Sequence, residues 1–437
     1  MNRWSNGLAT GYDLGIFAQS AQSWSHGRLP HSDIRQIDLL GDHFSPIMAV
    51  VAMGWRFWPD PRVLLVAQAF SLGLTVALIA AYAYRSLGSR YALIVATMLL
   101  CLGPGVLGAA LFDVHEVAFG APVLALLAIS ILERRFRVSM ISAVMLALVK
   151  EDLGLTIFGA GCAWWILYRE RGVDDRRRAA MLGLTGIAAV AVAYVVIKSV
   201  NGHSEYSKYF GGHHTPAPLW SRVAPIALFV VASAFVGLRS PIVLMALPTL
   251  AWRVLSSNPS YWRIDFHYDL LPTVVAVIAA VDGIRRTAAA SSTTTWRPRV
   301  IACVAVAAVV STSLGTLHIV ERTGHVGTTL SAGADLRRLE ELSRQIPMGR
   351  SVAASNDAAA YLVSTHPTYK LAANTGVNTD YVLFTTDGPW IDQFPKCAQS
   401  QLRGIAISRG WPVTVAGKYV LVATPEPGVV AGLDCLG

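Results

Sequence analysis

Along most of the chain, apolar runs of 12–22 residues alternate with short polar joints, the rhythm of membrane-crossing helices rather than of a soluble core. Ten runs predict spans: Val63–Tyr84, Ala92–Phe112, Val117–Leu132, Val138–Val149, Leu153–Tyr168, Ala179–Ile197, Val223–Leu238, Pro241–Leu255, Leu270–Ile284 and Val300–Ile319. A span needs about 20 apolar residues, and shorter runs are tolerated inside a bundle. Ile47–Phe57 is too short to cross and predicts an interfacial helix. Beyond Ile319 the pattern changes. Asp335–Gln345 has a helical period, Ser351–Ala354 reads as a strand, Asp357–Val363 as a helix, and Tyr381–Thr385 and Lys418–Ala423 as strands. Alternating strands and helices predict a small α/β domain over residues 335–437, joined by a linker (320–334) to a bundle (63–319) that follows a first loop (1–62).

Composition sharpens this. Of 437 residues, 54% are hydrophobic and 14% charged, against about 25% charged in soluble domains; mean hydropathy is +0.47. Disordered chains, disulfide scaffolds and ordinary soluble enzymes are excluded. The net charge of +9 sits between apolar runs, with no basic face or nucleic-acid motif, so no nucleic-acid partner is expected. One set of alternate loops, Arg85 to Arg299, carries fifteen basic residues; the other carries six, or eleven with the N-terminal arginines. The richer set is expected in the cytoplasm, which puts both the N-terminal stretch and the C-terminal domain outside. Merging Val138–Val149 with Leu153–Tyr168 would invert every later loop, so two short passes meeting at Lys150-Glu151-Asp152 are expected, with that triplet recessed below the membrane surface. Residues 1–43 lack an apolar run although the topology places them outside; a helix preceding this sequence is the expectation. Cys101, Cys162 and Cys303 lie in apolar runs, whereas Cys397 and Cys435 in the polar tail are able to pair if it is extracytoplasmic.

The same sidedness gathers the acidic motifs on the outer face: Asp13 in Tyr12-Asp13-Leu14-Gly15, Asp42 and His43, Asp113 and Glu116 in Phe112-Asp113-Val114-His115-Glu116, Lys150-Glu151-Asp152, and His267-Tyr268-Asp269. Ionisable groups at a membrane boundary are costly unless solvated or paired, so a one-sided cluster predicts a site. In a helical turn Asp113 and Glu116 would share a face and His115 would point elsewhere; the pair suits a divalent cation or a base, or caps the following helix. Lys150 suits a lipid phosphate or pairs with Glu151 or Asp152. His203, His213 and His214 read as a solvated loop. Serine-hydrolase, zincin and zinc-ribbon signatures are absent.

These motifs, with Gln19, Phe44-Ser45-Pro46, Leu153-Gly154, Tyr261-Trp262 and Ser351–Asn356, resemble in order and spacing the bacterial membrane family called domain of unknown function 2079. That family looks like a distant branch of the glycosyltransferase C superfamily, whose members carry many spans, an essential acid in a long first outer loop and often an outer C-terminal domain. The resemblance implies a multi-pass cell-membrane enzyme moving a sugar from a polyprenyl-phosphate carrier to an outer acceptor. It implies Asp13 as first-loop base and Asp113 or Glu116 as second base or metal ligand. Lys150 and His267 would contact phosphate, with Asp42, His43, Glu151, Asp152 and Tyr268 lining the substrate. The competing readings are a non-catalytic lipid-binding or transport protein and an inactive scaffold; no internal repeat supports a carrier.

Overall fold

The computed structural model of the chain describes residues 2–5, 9–201, 219–264, 266–293, 295–323, 333–372, 378–387, 393–424, 426, 428–430 and 432–433. His203, His213, His214 and Cys435 lie outside them, as does most of the expected linker.

In chain order the longer helices are α1 (Ile16–Ser25), α2 (Arg62–Leu87), α3 (Arg90–Cys101), α4 (Pro104–Leu111), α5 (Val117–Leu132), α6 (Phe136–Ala147) and α7 (Leu153–Tyr168). There follow α8 (Val173–Asn201), α9 (Leu219–Ala232), α10 (Leu247–Leu255), α11 (Leu270–Ala290), α12 (Trp296–Thr323), α13 (Ala334–Arg344) and α14 (Lys396–Ser408). Among the described residues four helical stretches are long and apolar enough to cross a membrane: Arg62–Leu87, Val173–Val200, His267–Ala290 and Trp296–Val320. The pair α3 and α4, bent by 46°, reaches that length and apolarity only when its two helices are taken together. The bend has a local cause: Gly103 is extended and Pro104 opens the second helix, where its missing N–H costs nothing.

The other expected spans form shorter helices. Val223–Leu238 stops at Ala232, and Ala234 and Phe235 then take positive φ. Pro241–Leu255 is broken into a tight turn at Pro241–Met245 and the nine-residue α10, each with a proline in its first turn. Phe136–Ala147 and Leu153–Tyr168 are separate helices, with Lys150-Glu151-Asp152 in the turn between them. The segment expected to be interfacial is a helix at Met48–Ala52 continued by a tighter turn at Met53–Arg56.

The chain divides into two compact units. One holds residues 40–48 and 68–322, the helical bundle. Within it α11 is the axis, 89% buried over its apolar window, whereas the windows of α2, α8 and α12 are 22–39% buried. The apolar surface those helices leave bare is what a lipid-facing helix requires. The other unit holds residues 1–39, 49–67 and 323–437, so the N-terminal segment expected as a loop shares a unit with the C-terminal domain.

In that second unit β1 (His31–Ser32) and β2 (Ile37–Asp38) pair antiparallel. A five-stranded sheet is built from β3 (Val352–Ala354), β4 (Thr368–Lys370), β5 (Tyr381–Thr385), β6 (Val413–Ala416) and β7 (Tyr419–Ala423), in spatial order β4-β3-β5-β7-β6. The β3 strand runs parallel to β4 and β5, and β7 antiparallel to β5 and β6. Helix α14 packs Leu402 and Ala406 against Val382, Phe384, Val420 and Val422. The sequence pattern located α13, β3, β5 and β7 and missed β4, β6 and α14. The expected Asp357–Val363 helix is the single turn Asn356–Ala359. Cys397 is disulfide-bonded.

Candidate functional site

The bundle gathers its charged motifs around Glu116 and Lys150. Phe112–His115 is not helical and Glu116 immediately precedes α5 without capping it. Asp113 and Glu116 therefore do not share a helical face. Instead the Lys150 Nζ donates to Glu116 Oε1 at 2.7 Å, and His115 Nδ1 lies 3.3 Å from Glu116 Oε2. The partner of Lys150 is thus neither of its sequence neighbours. Glu151 turns to the 40–48 segment, where Oε1 is 2.9 Å from His43 Nδ1 and Oε2 accepts the Phe44 N–H at 3.1 Å. Asp152 accepts from Trp252 Nε1 at 3.2 Å. Its other oxygen, Oδ1, is buried with no partner among the described residues. The His267 ring stacks on His115, centroids 3.5 Å apart and 26° between planes, and Tyr268 adjoins it at 4.2 Å. A cavity of about 30 Å³ lies among Lys150, Asp152, Trp252, His267 and Tyr268; that is room for about one water-sized group.

Two residues that the sequence reading passed over fix this geometry. Arg253 donates to Asp269 through both terminal nitrogens (2.6 and 3.2 Å) and to the Tyr261 carbonyl through Nε (2.7 Å). Both members of this pair are buried, and they pin the loop that carries His267. Gln68, buried in α2, accepts from the His115 N–H and donates to the Ala109 carbonyl, holding the Phe112–Glu116 stretch. The available signal was a charged or amide side chain inside an apolar run, which is expensive unless it is used.

Electrostatics set the ionisation of the cluster. Burial opposes charge on Glu116, but Lys150, His115 and His43 outweigh it and hold the carboxyl well below its usual range. Burial likewise opposes Lys150, which Glu116, Glu151 and Asp152 hold well above the usual ammonium value. His43 is raised, because Glu151 and Asp42 overcome burial, and Glu151 is lowered against burial by His43 and Lys150. Asp152 behaves differently: burial, reinforced by Glu151 and Glu116 against the pull of Lys150, pushes it up to about 6. The partly accessible groups of the cluster are of both signs, since Asp42 and Asp152 are part-exposed beside His43 and Lys150. Side-chain exposure is 31% at His43, 17% at His115 and 16% at Lys150, against 13% at Glu151 and 1% at Glu116.

No three His, Cys, Asp or Glu side chains among the described residues come together as a metal-holding group. Glu116, expected with Asp113 as a cation ligand, spends its oxygens on Lys150 and His115; Asp113, three residues earlier, is buried.

Asp13 belongs to the other unit. It is half-buried in one wide helical turn, Gly11–Gly15, closed by the Gly15 N–H on the Thr10 carbonyl at 3.1 Å. That turn lies against the C-terminal domain. The Tyr12 N–H donates to Asn356 Oδ1 at 2.7 Å, Lys370 Nζ stands 4.8 Å over the Tyr12 ring, and Tyr361 bridges the Trp4 carbonyl and the Ala9 N–H. A Cβ on Gly11 would come within 2.6 Å of the Ala359 methyl, so the close approach requires glycine.

The family model described as Predicted membrane protein (DUF2079) matches residues 5–408, and the chain belongs to that family. Among solved structures the chain is similar to ArnT from Cupriavidus metallidurans in the apo state, with TM-score 0.57 and 15% identity over 97% of this chain and 94% of that one. It is equally similar to ArnT from Cupriavidus metallidurans bound to undecaprenyl phosphate, with TM-score 0.57 and 14% identity over 97% and 95%. No curated protein matches it. The fold is therefore that of ArnT, in line with the glycosyltransferase C fold that the family resemblance implied, with a small sheet domain at the C-terminus.

Proposed function

Starting from that membership, we propose that the protein is a membrane glycosyltransferase moving a sugar from a polyprenyl-phosphate carrier to an acceptor on the extracytoplasmic side. The observation that carries the reading is the part-exposed Lys150 ammonium, held by Glu116 at the small cavity it shares with Trp252, His267 and Tyr268, which suits a lipid phosphate beside the membrane. The likeness in fold to a protein solved with undecaprenyl phosphate adds support, as do the loop charges and the Cys397 disulfide for an outer C-terminal domain.

In this reading Lys150 and His43 take the carrier phosphate, and the His115–His267 stack with Tyr268 borders it. Asp42, Glu151 and Asp152 complete that lining. A carboxylate removes the proton of the acceptor hydroxyl, the acceptor oxygen bonds to the sugar C1, and the C1–O bond to the carrier breaks with its electron pair on the phosphate. Lys150 stabilises the charge that develops there. Asp13 is the base the resemblance implies, with Asp113 and Glu116 as the second acidic position; Asp152 is a further carboxyl, which burial pushes up to about 6.

The test uses full-length protein in lipid nanodiscs with a polyprenyl-phosphate sugar. Asp13→Asn is expected to lower transfer about 10²–10⁴-fold, the worth of a general base. Lys150→Met is expected to lose undecaprenyl-phosphate binding as well. Transfer that survives chelation by EDTA assigns the phosphate to Lys150 rather than to a divalent cation. Binding without turnover in the wild type makes the protein a lipid-binding one instead, and full turnover in both variants overturns the assignment.

A further inference from the structure

The unit formed by the N-terminal segment and the C-terminal domain carries two adjoining clefts that share Gln22 and Ser364. The first, about 440 Å³, is walled by Arg28, His31 and Asp33 on one side and by Thr365 and His366 on the other. The second, about 620 Å³, is walled by Ser25, His26 and Arg56, with Trp55 and Pro59 as its apolar part. Each is within the range that holds a small organic ligand.

The framework beneath them is fixed by buried hydrogen bonds. Gln19 donates from Nε2 to the Thr368 carbonyl at 2.8 Å and accepts at Oε1 from the Ser32 hydroxyl (2.8 Å) and the Ile34 N–H (3.1 Å). One side chain thereby ties α1, the β1–β2 hairpin and the β4 strand together, so the walls are preorganised. His366 is 6% exposed, and burial pushes its imidazole down. His31 is already committed to Asp38 at 2.9 Å, with Asp33 at 3.7 Å. Arg28 and Arg56 are different: both are exposed, and neither has a carboxylate partner among the described residues.

This lining has a chemical meaning. Amides, hydroxyls and imidazoles on both walls suit a ligand carrying many hydroxyl groups. The two uncommitted guanidiniums, one in each cleft, suit negative charge on it. We propose that these joined clefts bind an anionic saccharide, with Arg28 and Arg56 pairing to its acidic groups and Gln22 and Ser364 bridging between. That the saccharide is the transferase's acceptor rests on the function proposed above; binding itself does not.

The experiment measures binding to full-length protein in phosphatidylcholine nanodiscs by saturation-transfer NMR and calorimetry. The probes are an acidic tetrasaccharide of alternating glucuronate and N-acetylglucosamine, its neutral counterpart chitotetraose, glucose 6-phosphate and inorganic phosphate. The acidic saccharides are expected to bind, and chitotetraose at least about tenfold more weakly. R28Q/R56Q is expected to weaken the acidic tetrasaccharide by at least about tenfold with its unfolding temperature unchanged, since both side chains are exposed. Lys150→Met should bind the saccharide as the wild type does, whereas a wild type that binds the saccharide yet transfers no sugar counts against the transferase reading and not against this one. No binding by either acidic saccharide, equal binding by inorganic phosphate, or an R28Q/R56Q protein that binds normally overturns the proposal.

Discussion

The two units hold their functional candidates by different physics. In the bundle, Glu116, Lys150, Glu151 and His43 are ion-paired, and Arg253 and Asp269 are paired at almost no exposure. Asp13 sits instead in a turn held by backbone and amide hydrogen bonds, with Asn356 accepting from Tyr12. A charge pair away from water is worth little as a net gain and a great deal when broken, because the survivor is left uncompensated. A neutral hydrogen bond costs far less to lose. The bundle site should therefore fail sharply under single substitutions, and the Asp13 turn should yield by degrees.

Arg253→Ala tests the sharp side most severely. It strands Asp269 and unties the loop carrying His267, so a loss of about 3–5 kcal/mol is expected, read as thermal unfolding in nanodiscs. Lys150→Met should cost about 3 kcal/mol by stranding Glu116, and adding Glu116→Gln should restore most of that stability while transfer stays absent. Should Lys150→Met be as stable as wild type, the contrast between the units is gone.

Asp152 sharpens the comparison through pH. Its proton leaves near pH 6, so transfer that uses it as a base should fall about tenfold per unit below that value, and Asp152→Asn should leave only a pH-independent remnant. The same shift has a stability consequence. The folded value lies above the unfolded one, so the folded chain holds the proton longer. Stability is fullest below about pH 4 and declines towards pH 6 on this account, and Asp152→Asn abolishes that slope.

The gentler side follows. Asn356→Ala leaves the Tyr12 N–H without its acceptor and should cost about 1–2 kcal/mol. Tyr12→Leu removes the ring under Lys370 and should cost about 0.5–1 kcal/mol. Effects of this pair as large as those at Arg253 would show the Asp13 turn to be as brittle as the bundle.

Several helices and strands could be read from the chain because apolar period is a local property. The β5 and β7 strands alternate with turn residues on either side, and β5 has the bounds the pattern gave. The β4 strand was missed because three residues after Pro367 carry no period, and their pairing with β3 supplies the strand. Pro241–Leu255 was read as one span on apolarity alone, although its two prolines restart the chain twice.

The sequence by itself determined a membrane bundle followed by a small α/β domain, and which motifs would carry charge, because composition and period are written residue by residue. It did not determine how those charges pair. Lys150 is flanked by Glu151 and Asp152 and yet binds Glu116, thirty-four positions away. Adjacent side chains in a turn diverge, while helices packed side by side bring distant ones within 3 Å, and at low solvent access the nearest opposite charge prevails. Only the tertiary structure makes that choice. The same holds for Asp13, whose turn is shaped by a domain more than 340 residues further along the chain.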